Sequence, residues 1–234
     1  MAVAHPTLVR DPVGTELAQR TAFLGGNECA AQAATDVNFH VMGYFPITPS
    51  TEIAQVLDEK FANGEHTIKM ISADGEHGAA GICYGASIGG GRVLNATSAN
   101  GLLYAIEQLP VQAGTRSPMV LNLITRAVSG PLDILCDHSD LYYTLNTGWL
   151  ILMARDPQAV YDMNLIAVRL GEHLDIRLPV IVASDGFFTS HQKRRVQVFT
   201  DGEALREKFL MPTEPPFHAL DPRNPVTFGP YMND

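Results

Sequence analysis

Cysteine is scarce in this sequence and badly spaced for metal. Cys29, Cys83 and Cys136 are the three thiols among 234 residues, with no Cys-x-x-Cys pair. Neighbouring positions therefore cannot build an iron-sulfur cluster or a zinc ribbon, and buried thiols in a reducing compartment are expected. Acidic neighbours would raise the pKa of Cys136, which argues against a reactive thiol there. Positive charge is scarce too: 16 Lys and Arg stand against 25 Asp and Glu, a net charge of -9. Lys193-Arg194-Arg195 reads as a solvated turn, so nucleic acid and anionic membrane are poor partners. No apolar run is long enough to span a bilayer, and the start of the chain, with Asp11 and Glu16, lacks the core of a signal peptide. A soluble cytoplasmic chain is expected. The glycines at Gly85 and 89–91 lack the Gly-Lys-Ser/Thr ending of a phosphate loop, and no Gly-x-Gly-x-x-Gly follows the first strand. Nucleotide binding is unsupported.

A hydrophobic content of 46% is enough for one good-sized core. Apolar, strand-like runs occupy 40–45, 67–72, 92–97, 119–125, 149–153 and 179–183. Helical periodicity occupies 28–37, with Asn27 as its N-cap, then 51–62, 76–89, 102–114 with an interruption near Pro110, and 157–170. Strand and helix alternate, and the strands are nearly continuous in apolar character. That predicts an α/β fold, a mostly parallel sheet with helices on both faces. Residues 126–148 form a long polar segment without period, of the kind that is usually functional. A short amphipathic segment follows at 201–209, then a proline-rich tail from 212 to 230. The expected division is a lead at 1–24, a domain at 25–191, and a linker or docking arm at 192–234 towards a further domain.

The chain is organised around residues 44–91. Pro46 and Pro49 flank Ile47-Thr48, forcing a stiff, non-helical exit from the first apolar strand and holding Thr48 at its end. After a second strand and Gly75, a single carboxylate, Glu76, precedes a run of small residues suited to a helix packed close to another backbone. Taken alone, Glu76 favours the positive end of a helix, and Thr48 is a turn residue. Arg126 ends an apolar strand, where a guanidinium either makes a surface ion pair or grips a carboxylate through two parallel hydrogen bonds. Asp137, His138 and Asp140 cluster, and ordering of the long loop is favoured over metal ligation.

These residues carry a family resemblance. Gly26-Asn27-Glu28, Tyr44-Phe45-Pro46-Ile47-Thr48-Pro49-Ser50, Glu76-His77-Gly78-Ala79-Ala80-Gly81, Ala96-Thr97-Ser98, Arg126-Ala127, Asp137-His138-Ser139-Asp140, Thr147-Gly148-Trp149 and Asp185-Gly186-Phe187 occur in order. The chain resembles the N-terminal, pyrimidine-binding domain of the pyruvate and other 2-oxoacid:ferredoxin (flavodoxin) oxidoreductases, which use thiamine diphosphate. Two departures stand out: Gly75 replaces the family's common serine before the glutamate, and Ala99-Asn100-Gly101 replaces Ser-Gln-Gly or Ser-Pro-Gly.

The resemblance implies a catalytic set of Glu76, Thr48 and Arg126. Glu76 would hydrogen-bond the cofactor's aminopyrimidine and favour its imino form, Thr48 would touch substrate, and Arg126 would pair with the 2-oxoacid carboxylate. Pro46, Ile47, Thr48, Glu76 and Asn100 would line the cofactor. The diphosphate-gripping Gly-Asp-Gly and Asn-Asn elements and the cluster cysteines have no counterpart here. Magnesium and [4Fe-4S] clusters would therefore belong to partner domains. The implied reaction is oxidative decarboxylation of a 2-oxoacid, pyruvate in the first instance, to an acyl-coenzyme A, with electrons passing to ferredoxin or flavodoxin. The implied partners are a diphosphate-binding chain, an iron-sulfur subunit, ferredoxin or flavodoxin, the 2-oxoacid and coenzyme A. Two alternatives stay open: the pyrimidine-domain subunit of a non-redox thiamine diphosphate decarboxylase, and a non-catalytic assembly module.

Overall fold

The computed structural model describes residues 17–210 and 218–227. The first part of the expected lead, 1–16, and stretches 211–217 and 228–234 of the expected tail lie outside the described residues. The elements are, in order, β1 (Gln19–Leu24), α1 (Gly26–Val37), β2 (Val41–Tyr44), α2 (Thr51–Ala62), β3 (Lys69–Ser72), α3 (Glu76–Ile88), β4 (Val93–Thr97), α4 (Ala99–Ala105) and α5 (Gln108–Gly114). There follow β5 (Val120–Thr125), α6 (Ser139–Tyr142), β6 (Leu150–Met153), α7 (Pro157–Glu172), β7 (Val180–Asp185), α8 (Phe188–His191), β8 (Arg194–Phe199) and α9 (Gly202–Lys208).

Six of the strands make one parallel sheet in the order β3-β2-β4-β5-β7-β6. Alternation along each strand sends side chains to opposite faces. On β5 and β7, Val120, Ile124, Val180 and Val182 join a core with α1, α2 and α7. Leu121, Leu123, Ile181 and Ala183 join a second core with α3, α4 and α5. Burial on both faces is why these strands read as continuous apolar runs. The order reverses between β2 and β4, and in open α/β sheets the crevice outside the strands' carboxyl ends at such a point is where ligands bind.

Several local expectations need correction. Asn27 is not the N-cap of α1: Gly25 caps it, and Glu28 reaches back to the Gly25 N–H at 2.8 Å. Pro110 does not interrupt its helix. The break falls at Ile106 and Glu107, and Pro110 sits in the first turn of α5, where a missing N–H goes unnoticed. Cys136 is exposed, unlike Cys29 and Cys83.

The largest correction concerns the two ends of the chain. Arg194 and Arg195 are not a turn but the start of β8, which pairs antiparallel with β1 from Gln19↔Phe199 to Leu24↔Arg194. Val196 and Val198 are turned inward at 1% and 0% exposure and join the core of α1 and α7. The lead and the arm each supply a strand to this ribbon. It is pinned by Tyr161 on α7, whose hydroxyl donates to Asp36 Oδ2 at 2.6 Å and accepts from the Phe199 N–H at 3.1 Å. Burial holds the Asp36 carboxyl above the usual carboxylate range, against the opposing pull of its bonds from Tyr161 and Gln32. Among the described residues no helix is long and apolar enough to cross a membrane.

Candidate active site

Loops at the carboxyl edge of the sheet carry every residue singled out from the sequence. Thr48 follows β2, Glu76 opens α3 after β3, Asn100 lies in α4 after β4, and Arg126 follows β5.

Asn27 anchors the proline loop. Its amide donates to the Pro49 carbonyl at 2.9 Å and to Glu52 at 3.1 Å. Ile47 closes the loop from inside, its carbonyl accepting Ser50 N at 2.9 Å and Thr51 N at 3.1 Å. Pro46 and Thr48 are left exposed. Gly186 presses on the same loop: a Cβ there would stand 2.8 Å from Pro49 and 2.5 Å from the Thr125 carbonyl. The ends of β2, β5 and β7 meet at this point.

Arg126 is 6% exposed, and its Nε donates to the Thr48 carbonyl at 2.7 Å while Nη1 donates to the Ala127 carbonyl at 3.2 Å. Thr48 and Arg126 are thus in direct contact. Among the described residues the Arg126 guanidinium has no carboxylate partner and Nη2 makes no hydrogen bond.

Asp140, fully buried, orders the loop around these groups. Its Oδ2 accepts from Ala99 N at 2.8 Å and Arg126 N at 3.1 Å, and its Oδ1 accepts from Leu141 N at 2.8 Å. Burial raises the Asp140 carboxyl, although these backbone donors pull the other way. The Ala99 bond holds that residue at φ 40°, a left-handed conformation unusual for alanine. Asn100, next along, accepts from Ser129 N at 2.9 Å and ties α4 to the long loop.

Glu76 sits at the first position of α3, its side chain half-buried. The space it occupies exists because residue 101 is glycine. A Cβ on Gly101 would lie 2.5 Å from Glu76 Oε1 and 2.6 Å from Thr97 Oγ1. The small residues of α3 let the helix close on β2, where a Cβ at Gly43 would meet the Ala79 carbonyl at 2.7 Å. His77 points elsewhere, pairing with Glu107 at 2.8 Å on the exposed side. A connected path runs from Glu76 against Gly101, back along the chain to Ala99, through Asp140 Oδ2 to the Arg126 N–H, and on to the Thr48 carbonyl.

Sequence reasoning missed Gly101, Thr97 and Gln112 as neighbours of Glu76. Gly101, the one position of 99–101 that keeps the family's glycine, was the available signal. Nothing local marks Gln112, a polar residue on an otherwise apolar helix face.

Residues 32–234 match the family described as pyruvate flavodoxin/ferredoxin oxidoreductase, thiamine diphosphate-binding. The chain belongs to this family. Among oxidoreductase relatives, the pyruvate synthase subunit PorA of Thermotoga maritima is 40% identical over 205 residues, 88% of this chain and 52% of that protein. The ketoisovalerate oxidoreductase subunit VorA of Pyrococcus horikoshii is 36% identical over 206 residues, 88% of this chain and 51% of that protein. The chain therefore spans about half the length of these curated relatives. A solved 2-oxoglutarate:ferredoxin oxidoreductase from Magnetococcus marinus superposes with a TM-score of 0.67 at 23% identity, over 76% of this chain and 31% of that one. That likeness shows the shared α/β fold.

Proposed function

We propose that this chain is the pyrimidine-binding part of a thiamine diphosphate-dependent 2-oxoacid:ferredoxin oxidoreductase, with Glu76, Thr48 and Arg126 as its contribution to the active site. The connected path from Glu76 through Gly101, Ala99, Asp140 and Arg126 to Thr48, at the switch point of the sheet, carries this reading. The residues fit the cofactor: the glycine at 101 leaves the Glu76 carboxylate room that any side chain would fill, and among the described residues the guanidinium of Arg126 has no carboxylate partner. When bound, the cofactor supplies a nucleophilic carbon and an electron sink for the carbon that loses CO2.

The chain's own residues bind and orient. Glu76 accepts a hydrogen bond from the aminopyrimidine and exchanges a proton with it at the carboxylate oxygen. Arg126 Nη2 and the exposed Thr48 hydroxyl take the substrate carboxylate, the guanidinium being held in place by its bond to the Thr48 carbonyl. Pro46, Ile47 and Asn100 wall the same crevice. Residues 25–191 form the binding unit, with the β1–β8 ribbon fastened to its back. Diphosphate, magnesium and [4Fe-4S] clusters belong to partner chains or domains, with coenzyme A and ferredoxin or flavodoxin as further partners. Pyruvate is the first substrate to try, in the cytoplasm.

Co-purification with a diphosphate-binding partner, followed by an assay of a 2-oxoacid with coenzyme A and a low-potential dye, tests the reading. Dye reduction that disappears in Glu76→Gln supports it. Decarboxylation without dye reduction would replace the oxidoreductase by a non-redox decarboxylase, and full activity in Glu76→Gln would remove Glu76 from the mechanism.

A further inference from the structure

Beside Glu76 a small, largely enclosed cavity of about 20 Å³ reaches into the second core. It lies between α3, α4, α5 and the strands β4 and β5, with Leu102, Leu109, Leu121 and Trp149 among its apolar walls. Four polar side chains also line it: Glu76, Asn95, Thr97 and Gln112. Thr97 is 3% exposed and Gln112 1%, yet among the described residues Thr97 Oγ1 and Gln112 Oε1 have no hydrogen-bond partner. Gln112 is fixed in this orientation because its Nε2 donates to the Ala80 carbonyl at 3.3 Å, which forces Oε1 to the other side. Asn95 on the same wall has its oxygen committed to Ala96 N at 2.7 Å.

Buried polar atoms are rarely left unpaired, and a polar cavity above roughly 10–15 Å³ admits one water, which typically makes about three hydrogen bonds. We infer that a single water occupies this cavity and bonds Gln112 Oε1, Thr97 Oγ1 and the Glu76 carboxylate, making Gln112 and Thr97 positioning residues for Glu76. Donor and acceptor roles close without conflict. The water gives one hydrogen to Gln112 Oε1 and one to ionised Glu76, and accepts the Thr97 hydroxyl hydrogen. When Glu76 carries a proton, its O–H donates to the water's second lone pair while the Thr97 hydroxyl keeps its bond to the first, and the water still donates to Gln112 Oε1. The same three bonds thus hold Glu76 in both protonation states.

The water's existence is independent of the function proposed above, and only its effect on turnover rests on that reading. Two measurements address the water alone. A crystal structure resolving ordered solvent should show one density peak within hydrogen-bond reach of Gln112, Thr97 and Glu76. Thr97→Val, which keeps the shape and removes the hydroxyl, should lower the melting temperature by about 2–4 °C if a bonded water is lost. An empty cavity, or a Thr97→Val chain that melts higher because an unpaired hydroxyl has gone, overturns the inference. In the complete complex, Gln112→Leu should lower kcat by on the order of tenfold and displace its pH profile, with KM for the 2-oxoacid little changed. Thr97→Ser should recover what Thr97→Val loses. An unmoved pH profile in Gln112→Leu denies the positioning role. A water peak together with full activity in Glu76→Gln would instead leave the water standing and defeat the functional reading.

Discussion

Two buried arginines stand at opposite ends of the same sheet, Arg92 before β4 at 5% exposure and Arg126 after β5 at 6%. Arg92 is answered within the chain: Nε and Nη2 each reach an oxygen of Glu172 at 2.6 Å. Arg126 is answered by the carbonyls of Thr48 and Ala127. A buried cation needs a counter-charge and full hydrogen bonding, and at the amino edge the fold provides both. At the carboxyl edge it provides geometry without the anion. Among the described residues, unpaired buried oxygens also gather there, at Asn27, Ser98 and Ser184. The amino edge holds the fold together, and the carboxyl edge is shaped for a group that comes from outside.

Exchanging damage between the two ends is the sharpest way to break this contrast. Glu76→Gln should cut turnover of the complete complex by about 10²–10⁴-fold, the range of a lost acid–base group, with little change in melting. Glu172→Ala should do the reverse. Taking the Glu172 carboxylate from buried Arg92 costs about 3 kcal/mol, a fall of roughly 6–12 °C in melting temperature, while turnover per folded molecule stays near that of the parent. Thermal unfolding and activity measured on both variants decide it. If Glu76→Gln melts as badly as Glu172→Ala, the carboxyl edge is also structural.

Arg126 sharpens the comparison from the other side. In Arg126→Lys the charge remains but the planar fork and the Nε bond to Thr48 are lost. A charged hydrogen bond of about 1.5–3 kcal/mol corresponds to a fall of roughly 10–100-fold in kcat/KM for the 2-oxoacid. Substrate kinetics with an uncharged 2-oxo analogue give the control. An equal loss on the analogue would mean that Arg126 supports the loop and does not grip a carboxylate.

Gly101→Ala is a smaller perturbation with a distinctive signature. Alanine suits α4 better than glycine by about 0.5–1 kcal/mol, which offsets part of the crowding, about 1–3 kcal/mol, of a methyl group 2.5 Å from Glu76 Oε1 and 2.6 Å from Thr97 Oγ1. Stability should therefore fall by only about 1–2 kcal/mol while the displaced carboxylate lowers kcat by about tenfold, read by melting and turnover on one preparation.

The same contrast explains what the sequence could disclose. Parallel strands buried on both faces write their presence into local composition, so the sheet and its helices were legible from runs such as 119–125. The places of Thr48, Glu76 and Arg126 at strand ends were legible because the stiff proline loop, the lone acid before glycines and the arginine ending an apolar strand are local patterns. The roles proposed for them came from the family resemblance. The β1–β8 ribbon was not. Its strands present Val196 and Val198 inward but expose Arg194, Arg195 and Gln197, and their pairing joins residues far apart in the chain. Asn27 was misjudged for a related reason: a side chain two residues inside a helix start reads as a cap until the Pro49 carbonyl arrives beside it. Gln112 likewise acts across a long sequence separation, where no spacing rule reaches, whereas the loop-ordering part of Asp140 was legible from its clustering with Asp137 and His138.

The thiols offer the gentlest probe of the two regions, since labelling reads exposure without altering a residue. Cys29 and Cys83 lie within the two cores, and burial pushes both thiols up to about 12. Cys136 is exposed on the loop of the carboxyl edge. Its thiol is raised as well, first by partial burial and then by Asp185 and Asp137. The thiolate is the reacting form, so native labelling should modify Cys136 alone, slowly at neutral pH and faster as pH rises through the upper end of the ordinary thiol range. Asp137→Asn removes one of the charges that oppose ionisation, which lowers the Cys136 pKa and should speed labelling at a fixed, mildly alkaline pH by about twofold to threefold. Mass spectrometry of the native and urea-unfolded chain, one label against three, checks the count. Labelling of Cys29 or Cys83 at the rate of Cys136 would mean that the cores open as readily as the edge.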